Sequence, residues 1–122
     1  MRLKIIEGEF AVAKLADGVL PDLTKEFMFF AKTDEENSLV CRVCDLPEKT
    51  LEKELGWRAF RIEGVLDFSL IGILSKISGC LAENGIGLFA VSTFNTDYIL
   101  VKEENFERAL SLLAREGFEV IR

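Results

Sequence analysis

The spacing of apolar residues in the second half of the chain changes from the period of a strand to that of a helix. Residues 57–62 alternate between two faces, which predicts a strand, and apolar residues then recur every three or four positions from Leu70 to Leu81. This second pattern predicts a helix over residues 69–83, with Asn84–Gly85 as its C-terminal cap. The rest of this half is predicted as two strands joined at Asn95–Thr96, a helix and a last strand: residues 87–94, 97–103, about 106–117 and 118–122.

This order of strands and helices is that of the split βαβ, ferredoxin-like sandwich. We therefore predict an α+β domain of βαββαβ topology over residues 57–122, in which two helices cover one face of a four-stranded antiparallel sheet. We expect the end of the first strand, the start of the second and the end of the third to lie at one edge of this sheet. The N-terminus of the first helix is expected above that edge.

The first half of the chain is predicted to be mostly strands. Apolar residues alternate on both sides of Gly8, which indicates two short strands or one strand broken by a bulge. The later elements are predicted as a weak helix, the two strands of a hairpin and a short helix that begins at Pro47 and is capped by Gly56: residues 22–26, 27–32, 39–44 and 47–55. These elements match the same unit if its last strand has moved to the front. Residues 1–56 are therefore interpreted as a second tandem copy, degenerate or permuted.

Composition and charge exclude several classes of protein. The 122 residues are 49% hydrophobic and 30% charged, which is typical of an ordered globule. The net charge is −6 and the basic residues are scattered, so nucleic acid is not an expected partner. The N-terminus reaches Glu7 after only two isoleucines, too short an apolar run for a signal peptide or a membrane span. We expect a cytoplasmic protein with no membrane contact.

Cysteine usage favours free thiols over a metal or redox site. Cys41 and Cys44 form a C-x-x-C pattern, but residues three apart on a strand point to opposite faces. The sequence has no histidine and no second C-x-x-C that would complete a zinc site. We expect buried or half-buried free thiols, including Cys80, and neither a metal nor a cofactor.

Four segments of the second half resemble a known family. The segments are GWRAFRIEG, LDFSLIGIL, LAENGIGLFAVSTFNTDYILVKEEN and LLAREGFEV, at residues 56–64, 66–74, 81–105 and 112–120. Their sequence is similar to the small two-copy ACT-domain proteins of bacteria, which are related to the cytosolic arginine-sensor proteins of animal cells and more remotely to aspartokinase regulatory domains. The first half resembles the family only in its pattern.

The resemblance implies a regulatory function. ACT domains bind small molecules, most often amino acids, at interfaces between domains, and they transmit binding to an attached enzyme or partner. We expect no attached enzyme domain in these 122 residues. The resemblance therefore implies a free-standing, non-catalytic ligand-binding module of the α+β ACT sandwich type.

The turn before the first helix of the second half is the first candidate binding segment. The free N–H groups and the positive dipole end of a helix N-terminus can bind a carboxylate such as that of an amino acid. Gly72 adds close access to the backbone. The alternative is that Asp67 or Ser69 caps the helix and nothing binds. The candidate residues are Asp67, Phe68, Ser69, Leu70, Ile71 and Gly72.

The turn between the second and third strands of the second half is the other candidate. Within one chain we expect it to be distant from Asp67, but the apolar second strand is an edge that a second copy can pair with. Antiparallel pairing in a homodimer would then bring this turn towards the helix start of the partner and create two equivalent pockets. Asp97 would bind an ammonium or a cationic side chain. The candidate residues are Ser92, Thr93, Asn95, Thr96 and Asp97, and the alternative is a polar turn without a ligand.

Three hypotheses for the function remain open from the sequence. The preferred one is an amino-acid-binding regulator, a homodimer with its ligand between subunits and with a regulated partner protein. The second is a protein interaction module without a small-molecule ligand, docked through the same edge strand. The third is an enzyme with Asp67 or Asp97 as general base, for which the sequence offers neither a histidine nor a nucleophile or phosphate-binding motif.

Overall fold

The structure is a computed structural model that describes residues 1–63 and 72–122. Strands dominate the first half of the chain, and the two α-helices of the described residues lie in the second half. The elements are β1 (Arg2–Leu15), β2 (Phe29–Lys32), β3 (Asn37–Arg42), a 3-10 helix (Val43–Asp45), β4 (Glu52–Ile62), α1 (Ile73–Glu83), β5 (Leu88–Ser92), β6 (Asp97–Lys102), α2 (Glu103–Arg115) and β7 (Glu119–Ile121).

The chain divides into two compact units. The two-helix unit consists of residues 1–7 and 58–122, and the small unit consists of residues 8–57. The long strands β1 and β4 each contribute residues to both units. The division expected from the sequence, 1–56 and 57–122, stays a prediction, but the first seven residues of the chain associate with the second half.

The sheet of the two-helix unit differs from the predicted one by an inserted strand. Its strand order is β7-β1-β4-β6-β5, and the pairing of β1 with β7 is parallel. The prediction of a four-stranded antiparallel sheet is therefore wrong in number and in one pairing. The N-terminal residues lie between the first and last strands of the expected βαββαβ order, a placement that local patterns cannot reveal because the two partners are more than a hundred residues apart.

The core of this unit lies between the sheet and its two helices. The apolar residues predicted for the second helix form the buried face of α2, which confirms this helix and its helical spacing. They are Phe106, Ala109, Leu110 and Leu113. Leu3 and Ile5 from the inserted strand pack into the same cluster with Phe60 and Ile77. Burying side chains of this size contributes about 1.5–3 kcal/mol each relative to exposure.

Helix α1 confirms the predicted apolar stripe and its C-terminal end. Ile77 and Leu81 are buried, and the positive φ of 71° at Gly85 follows the helix. The first described residue at the other end is Gly72, the N-cap, with a φ of 92°. The predicted start at Ser69 lies outside the described residues.

The small unit is built from strands, and its predicted hairpin is confirmed. β2 and β3 pair antiparallel from Phe29 opposite Val40 to Lys32 opposite Asn37, and the strand order is β2-β3-β1-β4. Residues 8–57 are all described and contain a 3-10 helix but no α-helix. The weak helix predicted over residues 22–26 is wrong, because these residues form a turn and bends.

The helix predicted over residues 47–55 is also wrong. Strand β4 begins at Glu52 and continues through Gly56 to Ile62, paired with β1. The backbone N–H of Leu51 donates to the carbonyl of Lys14, 2.8 Å away. Helix propensity is a weak preference that pairing with a distant strand overrides. Gly56 is therefore not a helix cap but a residue with a φ of 84° inside a strand.

Candidate functional site

The turn between β5 and β6 is closed by a set of short hydrogen bonds. The N–H of Thr93 donates to the carbonyl of Thr96 at 2.8 Å, and the hydroxyl of Thr93 donates to the same carbonyl at 2.8 Å. The N–H of Thr96 donates back to the hydroxyl of Thr93 at 3.3 Å. These bonds fix a two-residue hairpin connection, Phe94–Asn95, between antiparallel strands.

A further hydrogen bond attaches this turn to the end of β4. The buried hydroxyl of Thr96 donates to the carbonyl of Ile62 at 2.6 Å. The end of β4, the end of β5 and the start of β6 therefore lie at one edge of the sheet. Our expectation that the start of the second strand and the end of the third lie there is wrong, because β5 and β6 pair antiparallel and the start of β6 lies beside the end of β4.

Helix α1 begins at this same edge. The N–H of Glu63 donates to the carbonyl of Arg2 at 2.8 Å, and that of Glu119 donates to Met1 at 3.0 Å, so the first residues of β1 lie beside the end of β4. Met1 and Ile73 line a common cavity of about 160 Å³. Its lining residues are Met1, Ile73, Lys76, Glu116, Gly117 and Phe118.

Two cations lie at the edge, each with a partner. Arg61 donates from Nε to a carboxylate oxygen of Glu63 at 3.2 Å and from a guanidinium nitrogen to the hydroxyl of Tyr98 at 3.3 Å. The hydrogen bond to Tyr98 is the main reason that the pKa of Arg61 is raised, and Glu63 adds to it. Lys76, in the first turns of α1, donates to the carbonyl of Glu116 at 3.2 Å.

The sequence did not predict this charged group as part of the site. Arg61 alternates with buried residues on β4 and Tyr98 follows Asp97, but their contact depends on β4 and β6 being neighbours. The available signal was the strand order of the ferredoxin-like topology, which places the first and third strands side by side. A correct assignment of strand directions would have paired the two residues.

The predicted site residues divide into a described and an undescribed group. Thr96 is buried, Asp97 is half-buried, and the other turn residues are exposed: Ser92, Thr93 and Asn95. Gly72 is exposed at the start of α1, with open space where a side chain would be. The remaining predicted residues, Asp67, Phe68, Ser69, Leu70 and Ile71, lie outside the described residues. The turn between β5 and β6 and the start of α1 thus lie at one edge of the sheet within a single chain, whereas the sequence predicted that they would be distant from each other.

The small unit carries a similar turn. The N–H of Thr33 donates to the carbonyl of Glu36 at 2.9 Å, and the buried side chain of Asn37 donates to Leu15 at 3.5 Å and to Asp17 at 2.8 Å. A cavity of about 330 Å³ opens beside this turn. It is lined by Lys14, Leu15, Ala16, Asp17, Thr33, Asp34, Glu35, Glu36, Asn37 and Leu51.

The three cysteines are free, and their exposure differs. Cys41 is buried in β3, where burial is the largest cause that raises its pKa to about 11, and Cys80 is half-buried. The expectation for Cys44 is wrong: it lies exposed in the 3-10 helix and not on a strand. Among residues 1–63 and 72–122, no three cysteine, aspartate or glutamate side chains are placed to hold one metal ion.

The same described part of the chain contains no helix that is long and apolar enough to cross a membrane.

The sheet order and the two helices on one face define an α+β sandwich of the ferredoxin-like class. A family model for the ACT domain matches residues 52–115, more than half of the chain. The chain belongs to the ACT-domain family. This confirms the resemblance stated from the sequence.

Curated relatives match the second half of the chain. The human protein named cytosolic arginine sensor for mTORC1 subunit 1 is 40% identical over 60 residues, which are 48% of this chain and 18% of that relative. The chain therefore spans less than a fifth of the length of the curated relatives that it matches.

Solved structures resemble the chain over nearly its whole length. A crystal structure of a protein from Agrobacterium tumefaciens has a TM-score of 0.87 and 32% identity, and the match covers 98% of this chain and 91% of that one. The ligand-free regulatory subunit of aspartate kinase from Thermus thermophilus has a TM-score of 0.62 and 11% identity, with 94% and 96% covered. The second likeness concerns the fold alone.

Proposed function

We propose that this protein is a cytoplasmic, non-catalytic regulator that binds an amino acid at the edge formed by the Ser92–Asp97 turn, the end of β4 and the start of α1. Membership of the ACT-domain family supports a regulatory role, and the name of the human relative supports an amino acid as the ligand. The observation that carries the proposal is the 2.6 Å hydrogen bond from Thr96 to Ile62, since it holds the turn at this edge.

The chemistry of the edge suits both ends of an amino acid. Asp97 is a half-buried carboxylate at the first position of β6, where it would bind the ammonium or a basic side chain. The N–H groups at the start of α1 and the ammonium of Lys76 would attract the ligand carboxylate. Arg61 is already held by Glu63 and Tyr98, so we assign it to positioning β4 and β6.

We also propose that the small unit is a degenerate tandem copy of the two-helix unit. Each unit has four strands in an equivalent order. The order is β2-β3-β1-β4 in the small unit, and it is β5-β6-β4-β7 in the two-helix unit when the inserted β1 is left out. β3 and β6 begin at residues 37 and 97, a shift of 60, and both follow a turn in which a threonine hydroxyl bonds the backbone. Asn37 and Thr96 lie one position apart in this alignment; both are buried polar residues, and each donates to the carbonyl of the last residue of a neighbouring strand.

Assembly is the remaining part of the proposal. A homodimer would pair through β5, and binding would be transmitted to a regulated partner protein. Because the turn follows β5 directly, the ligand would lie at the rim of that interface and not between the turn of one chain and the helix start of its partner. The alternative, an interaction module with no small-molecule ligand, is favoured by one observation: Phe94 is fully exposed at the tip of the turn.

A thermal-shift screen of the twenty amino acids at millimolar concentration tests the proposed function. We expect at least one amino acid to raise the melting temperature of the wild-type protein and to lose that effect in Asp97→Asn. Glu104→Gln is the matched control, since Glu104 is an exposed carboxylate in the first turn of α2, which follows the far end of β6. Stoichiometric co-purification of another protein, with no response to any amino acid, would support the interaction module instead.

A further inference from the structure

Two cavities of the small unit adjoin each other. The first is the cavity of about 330 Å³ beside the turn at Thr33, and the second, of about 400 Å³, lies along β1, β3 and β4. Lys14 and Glu36 line both cavities, so the two form one continuous groove. Along β1 the groove extends from Val12 past the end of the strand at Leu15, a length of roughly 10 Å at about 3.3 Å per residue.

The groove concentrates the negative charge of the chain. Six of its lining residues are acidic and two are lysines, a net charge of −4 out of the −6 of the whole chain. The acidic residues are Asp17, Asp34, Glu35, Glu36, Glu52 and Glu54. A concave surface with one sign of charge focuses the electric field and attracts a partner of the opposite sign. The groove therefore suits a cationic partner and repels one that carries phosphates.

Four of these carboxylates are available to such a partner. Within residues 1–63 and 72–122, the side chains that make neither an ion pair nor a hydrogen bond include those of Asp34, Glu35, Glu36 and Glu52. All four residues are exposed. Asp17 differs, since it accepts a hydrogen bond from the side chain of Asn37 at 2.8 Å.

The turn that carries three of the four available carboxylates is fixed by its own hydrogen bonds. The N–H of Thr33 donates to the carbonyl of Glu36 at 2.9 Å. The N–H groups of Glu35 and Glu36 both donate to the hydroxyl of Thr33 at 3.1 Å. A turn that is already ordered loses little conformational freedom when a partner binds, which favours association.

An exposed leucine adds an apolar surface to the groove. Leu51 is 61% exposed and lines the first cavity, and its N–H donates to the carbonyl of Lys14 at 2.8 Å. Lysine and arginine side chains pack their long apolar stems on such a surface while their charged ends stay solvated. The groove thus offers contacts to both parts of a basic side chain.

We propose that this groove is a docking site for an extended segment of a partner protein that carries several lysine or arginine residues. The inference rests on the regulated partner of the proposed function and names the surface that this partner contacts. The occupant is a protein segment because a groove of roughly 10 Å accommodates about three residues of an extended chain. Its basic residues would pair with the available carboxylates as charge-assisted bonds.

Fluorescence anisotropy with a labelled peptide of three Ser-Arg-Leu repeats tests the docking site. We expect saturable binding to the wild-type protein and weaker binding of the same peptide with glutamine in place of arginine. The double variant Glu35→Gln/Glu36→Gln should raise the Kd of the arginine peptide by about fivefold or more, since it removes two charge pairs. Leu51→Ser should raise this Kd as well.

The matched control is the double variant Glu103→Gln/Glu104→Gln. It removes the same charge from two exposed positions in the first turn of α2, so its Kd for the arginine peptide should equal that of the wild type. Circular dichroism checks that each variant is folded.

The outcomes separate this inference from the proposed function. Equal Kd values for the two double variants, or equal binding of the arginine and glutamine peptides, overturn the docking site. Displacement of the peptide by an equal concentration of L-arginine also overturns it, because a single amino acid would then suffice. Stabilisation by an amino acid without peptide binding overturns the docking site alone. Peptide binding that depends on Glu35 and Glu36 supports it even if no amino acid stabilises the protein.

Discussion

The hydroxyl of Thr96 donates to the carbonyl of Ile62 across 2.6 Å, in a buried position between two neighbouring strands. The bond joins the turn after β5 to the last residue of β4. Because this bond ties the turn directly to β4, the position of Asp97, the next residue, depends on it.

Replacing Thr96 by valine should destabilise the protein by about 1–3 kcal/mol, since the change keeps the shape but leaves a buried carbonyl without its donor. Urea denaturation followed by circular dichroism measures the difference in the free energy of unfolding. Thr96→Ser keeps the hydroxyl and should recover most of the loss. Equal destabilisation by valine and serine would show that the methyl group matters and the hydrogen bond does not.

Glycine positions in a strand and in a helix should respond oppositely to alanine. Gly56 has a φ of 84° in β4 with nothing close to the position of a new Cβ, so Gly56→Ala should cost about 1 kcal/mol through backbone strain alone. Gly79 lies inside α1 with open space and no positive φ, so Gly79→Ala should stabilise by about 0.5–1 kcal/mol. Thermal and urea unfolding of both variants would check the signs. Stabilisation by Gly56→Ala would contradict the positive φ in β4.

Buried Cys41 should make stability fall at alkaline pH. Burial raises the pKa of this thiol from 9.0 to about 11, so below pH 9 the thiol is protonated in both the folded and the unfolded chain. Between pH 9 and about 11 the unfolded chain ionises first, and the contribution to stability is lost as the pH rises. Cys41→Ala should therefore show a shallower decline of the unfolding free energy over this range than the wild type. Cys44→Ala, at an exposed position, is the control and should decline nearly like the wild type, since burial is the largest cause that raises the pKa of Cys41 and the neighbouring Cys44 is the smallest of the three.

The sequence predicted elements whose signal is local and missed those that depend on distant partners. The stripe of Phe106 to Leu113 and the turn at Asn95–Thr96 were readable because each lies within one short segment. Residues 47–55 carried a good helix signature, yet β4 begins within them because β1 pairs with it. The insertion of residues 2–7 into the sheet of the two-helix unit had no local signal in the sequence.

The residues of the candidate site divide in the same way, into those with a local signal in the sequence and those whose contacts depend on distant strands. The sequence named the Ser92–Asp97 turn from its polar composition, and it missed Arg61 and Tyr98, which meet across β4 and β6. It also assigned the turn to the wrong edge of the sheet relative to the helix start. Strand direction, and not residue type, was the missing information: β4 and β6 are neighbours, and the bond from Thr96 to Ile62 places the start of β6 at the end of β4.

Isothermal titration calorimetry of the wild type, Asp97→Asn and Glu104→Gln with each amino acid that stabilises the protein tests the central claim most directly. We expect one site per chain in the wild type and in Glu104→Gln. The removal of a charge-assisted bond in Asp97→Asn should lower the affinity by about tenfold or more. Equal affinity in all three proteins, or no heat of binding with any amino acid at millimolar concentration, would contradict an amino-acid site at this edge.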